Sequence, residues 1–509
     1  MKKQIKYLAL AIALALTACF DDKGNYDYAT LQDFYVDTTG IRAIPLHPQF
    51  DTLRLPSRLV YAGDKSDLSF AWTIYLSQPP LTGNPAITLA ETEDLAAPIA
   101  VLPSNYWIEF RATENTGRIV TQRYPITVES SGSGLLVLHE HDGIADLDLV
   151  KTRLLTGNLA EDNVMRHTYS LANPDHPLTG NALSVDMFSI SNLRFISIYT
   201  DEDGVNLSPD DMSVTKNFRD LFLFAPRAPL PQGYFIPYGV TSANPANTSD
   251  GIELLVSDGV YYTNMALFAA LLGGQAIFSE RTSTAGAYYA APFPFYSVGA
   301  VGIYDQLNRR FMTGSALTTT IAPASSSGKF NIGDIGKDLV HLAYGFNGQY
   351  MIYAIFKNPV DNGQRYLYVI NFSGNQAVAA WDISAYTGIA NARLFAYGRR
   401  GPTAFYAAGN TVYRIPFDLG ADTVAPAEET AWSAPAGEEI TTLELCAYPG
   451  RDVQENTRDR YLFVGTYNNA TTEGKLYIIQ INITTGACTP QPVATFGQFG
   501  KIKDIAFKY

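Results

Sequence analysis

The sequence predicts an all-β protein, with an immunoglobulin-like β-sandwich near the N-terminus followed by a β-propeller. Three observations predict it. Period-two alternation around a tryptophan marks short strands early in the chain. Apolar strand-like runs then recur to the C-terminus, with no helical stripe of convincing length between them. Composition favours strands and tight turns: 32 Tyr, 27 Phe and 40 Gly accompany only 4 Trp and 17% charged residues.

Ahead of the first strand, Lys2, Lys3 and Lys6 precede an apolar run from Tyr7 to Leu16 that ends in Leu16-Thr17-Ala18-Cys19. A basic head and a short apolar run make a secretory signal, and the run is shorter than the ~20 residues that a membrane-spanning helix requires. Small residues directly before a cysteine resemble the bacterial lipobox. Residues 1–18 are therefore expected to be a lipoprotein signal peptide and Cys19 the lipidation site, with residues 19–30 a lipidated tether. Several acyl chains, at about 0.8 kcal/mol per buried methylene, make such an anchor effectively permanent. Phe20-Asp21-Asp22 resembles the short acidic export signal that sends some gram-negative lipoproteins to the outer face of the outer membrane.

The sandwich is expected over residues 31–130. Leu68-Ser69-Phe70-Ala71-Trp72-Thr73-Ile74-Tyr75 alternates so that Phe70, Trp72 and Ile74 share one face. Trp107–Ala112 and Tyr124–Val128 supply further strands on either side of the turn residues Asn115, Thr116 and Gly117. One buried tryptophan suits the space between two sheets in a domain of about 100 residues. Ser130-Ser131-Gly132-Ser133-Gly134 reads as a flexible joint and marks the boundary.

The propeller is expected over residues 134–509. Strand runs include Leu135–Leu138, Leu254–Tyr262, Val301–Asp305, Tyr350–Ile355, Ala404–Arg414, Tyr461–Tyr467 and Leu476–Ile481; a short helix fits Thr263 to Leu272. Two segments share one grammar: an apolar strand, a tight turn on Asp258-Gly259 or Gly409-Asn410, then a valine-tyrosine strand. Weakly similar hairpins repeated over several hundred residues fit blades around a channel, and about 375 residues at roughly 40–50 per blade favour seven, with six or eight open.

The formal charge of −13 becomes −16 once the three leader lysines are removed, without any long single-sign run. Such an acidic chain is not expected to bind nucleic acid or anionic lipid headgroups. With Cys19 acylated, Cys446 and Cys488 remain; they are the candidate disulfide, or else two buried thiols, and their spacing suggests no redox motif.

Several stretches resemble the PKD-like lipoproteins of gut-dwelling gram-negative bacteria: Cys19 to Tyr28, Phe70-Ala71-Trp72, Gly134-Leu135-Leu136-Val137-Leu138 with Asp142-Gly143, and Phe499 to Asp504. The resemblance implies a PKD-like domain near the membrane and a propeller-like domain beyond it. It also implies a surface protein that serves a TonB-dependent importer of the starch-utilisation type and its lipoprotein lid, with a peptide or glycan as ligand. It brings no catalytic motif.

Chemistry-bearing clusters are few. His139-Glu140-His141-Asp142 could place two imidazoles on one strand face, but a polar strand end entering the Asp142-Gly143 turn is the better reading. His47, His167, His176 and His341 are scattered. Asp201-Glu202-Asp203-Gly204 and Asp210-Asp211 lack EF-hand spacing and read as turn caps. No nucleophile elbow, phosphate loop or zincin motif occurs. Tyr353, Tyr413 and Tyr477 lie inside strands, where packing between blades is the simpler role. The expectation is a non-catalytic binding protein with no catalytic residue, resident metal or cofactor. Two alternatives are a hydrolase or lyase acting in the channel, whose paired carboxylates sequence cannot reveal, and a structural subunit of an importer.

Overall fold

In a computed structural model, the described residues are 33–509 apart from 41–43, 45, 79–82, 84, 157–158, 160, 191, 227–230, 238–250, 266–276, 349, 420–422, 425–427 and 447–456. The leader, Cys19 and the tether lie outside them.

The first domain is a sandwich. Its larger sheet runs in the order His47–Pro48, Ile119–Glu129, Ser104–Glu114, Leu68–Leu76, Ile87–Ala90, and its other side is built from the ribbons Phe34–Val36 with Leu59–Tyr61 and Thr52–Leu55 with Leu95–Pro98. Trp72 is fully buried, with its ring 4.8 Å from Phe110 and 6.1 Å from Tyr124. Its indole N–H donates to the Thr92 and Glu93 carbonyls at 3.2 Å, so the polar end of the ring is satisfied as the rest is buried.

Among the described residues, the second domain holds seven sheets of four or five strands. Their innermost strands, taken in order around the ring, are Lys501–Lys508, Ala182–Ile190, Pro231–Phe235, Phe295–Ser297, Asp338–Tyr344, Phe395–Tyr397 and Glu439–Leu445. The ring closes through its first sheet, where Lys501–Lys508 pairs with Gly134–His141, followed outward by Ile144–Lys151 and Asn163–Met165. The fold is a β-propeller.

The apolar runs explain the ring. In Gly134–His141, Leu135 and Val137 pack towards the seventh sheet while Leu136 and Leu138 pack towards the second, so alternate side chains enter different cores. Each strand sandwiched between two sheets must be apolar on both faces, hence Leu-Leu-Val-Leu here and Met-Ile-Tyr-Ala-Ile-Phe in Met351–Lys357. Tyr353 and Tyr477 are buried between sheets, and Tyr413 stacks on Tyr406 at 5.2 Å. The turns at Asp142-Gly143 and Asp258-Gly259 have both residues at positive φ, the geometry that matches strand twist in a two-residue hairpin. Residues 263–265, expected to open a helix, instead complete the strand Val260–Met265; the remainder of that segment lies outside the described residues.

The joint departs from expectation. Ser131 is fully buried; its carbonyl accepts from Lys151 Nζ at 2.9 Å and its hydroxyl from Lys508 Nζ at 2.7 Å. Phe50, from the sandwich, is buried among Leu136, Leu147 and Met187 of the propeller. Small polar residues suggested a flexible linker, but two lysines and an aromatic plug pin it, and none of these is adjacent to it in sequence.

Candidate functional site

Every innermost strand, or the segment leading into it, lines one central cavity of about 530 Å³. Pockets for drug-sized ligands measure about 300–1,000 Å³. Five of the seven innermost strands carry an extra residue where they pair with the next strand: Lys503, Leu183, Gln232, Val340 and Thr441. A bulge leaves its extra residue out of the ladder and re-aims the side chains beside it. Here it turns Ser184, Gly233, His341, Thr442 and Asp504 to the cavity wall.

One side of the cavity is aromatic. The His341 ring lies 5.1 Å from Phe293, 5.4 Å from Phe395 and 5.7 Å from Tyr397. Burial among these rings pushes the imidazole down to about 4, so it is neutral at physiological pH. Three polar atoms of the wall, Ser184 Oγ, His341 Nδ1 and the Tyr397 hydroxyl, have no protein hydrogen-bond partner. Leaving such a group buried and unpaired costs about 1–3 kcal/mol.

The other side is acidic. Asp504 accepts the Val185 N–H at 2.7 Å and the Ile505 N–H at 2.9 Å, and Glu444 hydrogen-bonds to it side chain to side chain. Burial first, then the neighbouring Asp504 charge, holds the Glu444 carboxyl well above its ordinary range; burial also raises Asp504, against the donors it accepts. Glu444 is therefore the proton donor of the pair. Of the cationic residues in the wall, Lys503 pairs with Glu140 at 2.9 Å and Arg399 lies over the Tyr344 ring at 5.3 Å, whereas Arg393 is exposed and donates to the Ala392 carbonyl at 2.8 Å. Asp459 accepts the backbone N–H groups of Arg399 and Arg400.

The residues singled out from the sequence lie elsewhere. His139 is buried and faces Asp148 at 3.4 Å, whereas His141 is exposed at the strand end, so the two do not converge. His47 contacts the Asp51 carbonyl, His167 pairs with Asp146 at 2.9 Å, and His176 meets Asn217 at 3.0 Å. Asp201 caps Asn181, and Asp211 caps Ser213. Cys446 and Cys488 are not joined. They pack on opposite faces of the seventh sheet, Cys446 towards the first sheet and Cys488 towards the sixth. Burial pushes the Cys488 thiol up to about 11.

Sequence reasoning left His341 among the scattered histidines and did not single out Ser184, Tyr397 or Glu444. A charge inside an apolar strand, as in Leu443-Glu444-Leu445, was the available signal.

Residues 19–176 match the model of the PKD-like family. The match runs through the sandwich and into the three outer strands of the first propeller sheet. No curated protein sequence matches the chain. Among solved structures, a quinonprotein alcohol dehydrogenase-like protein from Bacteroides thetaiotaomicron is similar over 94% of this chain and 100% of its own, at 12% identity and a TM-score of 0.48. The β-propeller domain of Cps50 from Myceliophteria thermophila aligns over 62% of this chain and 87% of its own, at 12% identity and a TM-score of 0.37. Dihydro-heme d1 dehydrogenase NirN aligns over 78% and 72%, at 11% identity and a TM-score of 0.40. The sheet order and its closure carry the propeller assignment, and a sandwich joined to a propeller fits a binding or accessory protein in general terms.

Proposed function

We propose that this protein is a surface lipoprotein, anchored in the outer membrane through Cys19, that binds a peptide or glycan nutrient without transforming it and serves a TonB-dependent importer. The observation that carries the binding role is the central cavity, walled by every sheet and bearing three polar atoms with no protein partner. The anchor rests on Leu16-Thr17-Ala18-Cys19 and the importer on the family resemblance. Purified mature protein should retain a glycan or peptide pool on a column and return it chemically unchanged; product in the eluate overturns the non-catalytic role. Co-purification from solubilised outer membrane tests the importer, and mass spectrometry of the native N-terminal peptide tests the anchor.

A hydrolase or lyase is the second reading, and the Glu444–Asp504 pair favours it, because one carboxyl holds a proton beside a carboxylate that can accept one. Their spacing argues the other way for glycosides. Carboxyls hydrogen-bonded to each other are closer than the about 5–5.5 Å of retaining glycosidases or the about 6.5–9.5 Å of inverting ones.

A further inference from the structure

We propose that the central cavity takes an uncharged polyhydroxy ligand, the end of a neutral oligosaccharide, with one sugar face seated on Phe293, His341, Phe395 and Tyr397. This rests on the binding role above and narrows it from peptide or glycan to glycan.

The argument is one of charge and hydrogen-bonding capacity. Of the cavity's cations, Lys503 is paired with Glu140 and Arg399 lies over the Tyr344 face beside Asp459, while Arg393 is exposed and bonds to the Ala392 carbonyl. Its acid pair is closed on itself, since Glu444 donates to Asp504 and two backbone N–H groups saturate Asp504 further. A peptide end would bring an ammonium or carboxylate into a half-buried site where Lys503, Arg399 and the acid pair are already committed and the remaining cation, Arg393, is exposed and screened by water. Desolvating such an ion without a buried partner is costly. What remains unpaired and buried in the wall is neutral: a serine hydroxyl, a tyrosine hydroxyl and an imidazole nitrogen. Each can donate to or accept from a sugar hydroxyl, with the donor role of His341 Nδ1 set by its tautomer.

Tyr397 gives the sharpest test. It is 5% exposed, lines the cavity and carries a hydroxyl with no protein partner, beside a ring packed on His341. Orphan atoms also surround Glu253, namely Tyr199 OH, Asn264 Oδ1 and Lys216 Nζ, but Glu253 is only 1% exposed and does not line the cavity. At the cavity, the orphans belong to side chains that form the wall. The bulges at Leu183, Gln232, Val340, Thr441 and Lys503 add backbone groups released from the ladder on the same wall.

The experiment screens the full mature protein against immobilised neutral hexose and pentose di- to tetrasaccharides and against tripeptides, then titrates the strongest binder by calorimetry into wild type, Tyr397→Phe and Ser184→Ala. The expected result is an oligosaccharide binder whose affinity falls about five- to tenfold in Tyr397→Phe, in line with one lost hydrogen bond. The thermal midpoint of that variant should stay the same or rise, because the buried hydroxyl bonds to nothing in the folded chain. An oligosaccharide that binds both variants like wild type overturns the site. Binding of tripeptides alone overturns the ligand class and leaves the nutrient-binding role standing. Retention of neither class overturns both.

Discussion

Two buried acidic sites invite comparison. Glu253, between the second and third sheets, is 1% exposed and accepts hydrogen bonds from the Tyr234 hydroxyl and the Asn264 amide, each on its own oxygen. Burial pushes it up to about 7. Glu444 and Asp504 are also raised by burial, yet they are half-buried and line the cavity. A proton held at neutral pH therefore marks burial and says little about role. What separates the sites is access: side chains from neighbouring strands close around one, whereas a ligand can meet the other.

The comparison breaks first if Glu253 proves dispensable. Glu253→Ala leaves Tyr234 and Asn264 without their acceptor and opens a void between sheets, so denaturant unfolding at pH 6 should show a loss of about 3–5 kcal/mol. A loss under about 1 kcal/mol would show that the two sites do not differ in structural weight.

A pH series sharpens it. Glu253 has a folded value of about 7 against an ordinary 4.5, so between those values the folded chain keeps a proton that the unfolded chain has lost. Stability from this group is present in full below pH 4.5 and is lost as pH rises to 7, by about 3 kcal/mol at about 1.4 kcal/mol per pH unit. Lys216 faces the carboxylate and moderates the loss. Glu253→Gln should flatten that part of the profile, as read from thermal midpoints between pH 5 and 8. His341, pushed down to about 4, acts in the opposite direction, taking stability away as pH falls from 6.5, so the variant is compared with wild type at each pH.

The smallest effect belongs to the cavity. Glu444→Gln keeps a donor for Asp504 and a similar shape, so unfolding free energy at pH 7 should change by less than about 1 kcal/mol. A larger loss would put the acid pair in the same class as Glu253.

The fold was legible where local pattern decides it. Alternation around Trp72, the doubly apolar run Leu135–Leu138 and the Asp258-Gly259 turn each carry their geometry within a few residues. The cavity was not, for two reasons. A bulge adds one residue to a strand, and in a run apolar on both faces no alternation exists for that residue to interrupt, as at Val340 in Leu339-Val340-His341. The wall also joins residues far apart in the chain, so that the Val185 N–H meets the Asp504 carboxylate. The joint failed for the same reason in reverse: its own residues read as loose, and what secures Ser131 comes from Lys508 at the far end.

That last strand carries a kinetic consequence. Until Lys501–Lys508 docks, Gly134–His141 is an open edge and the ring a horseshoe, with Leu136 and Val137 offering their ladder to any passing strand. Completion of the circle waits for residues 501–508, and their partners, residues 134–140, lie more than 350 residues earlier in the chain, which slows folding. An assistant that shields this edge during folding would then matter more to yield than any single contact in the finished ring of sheets.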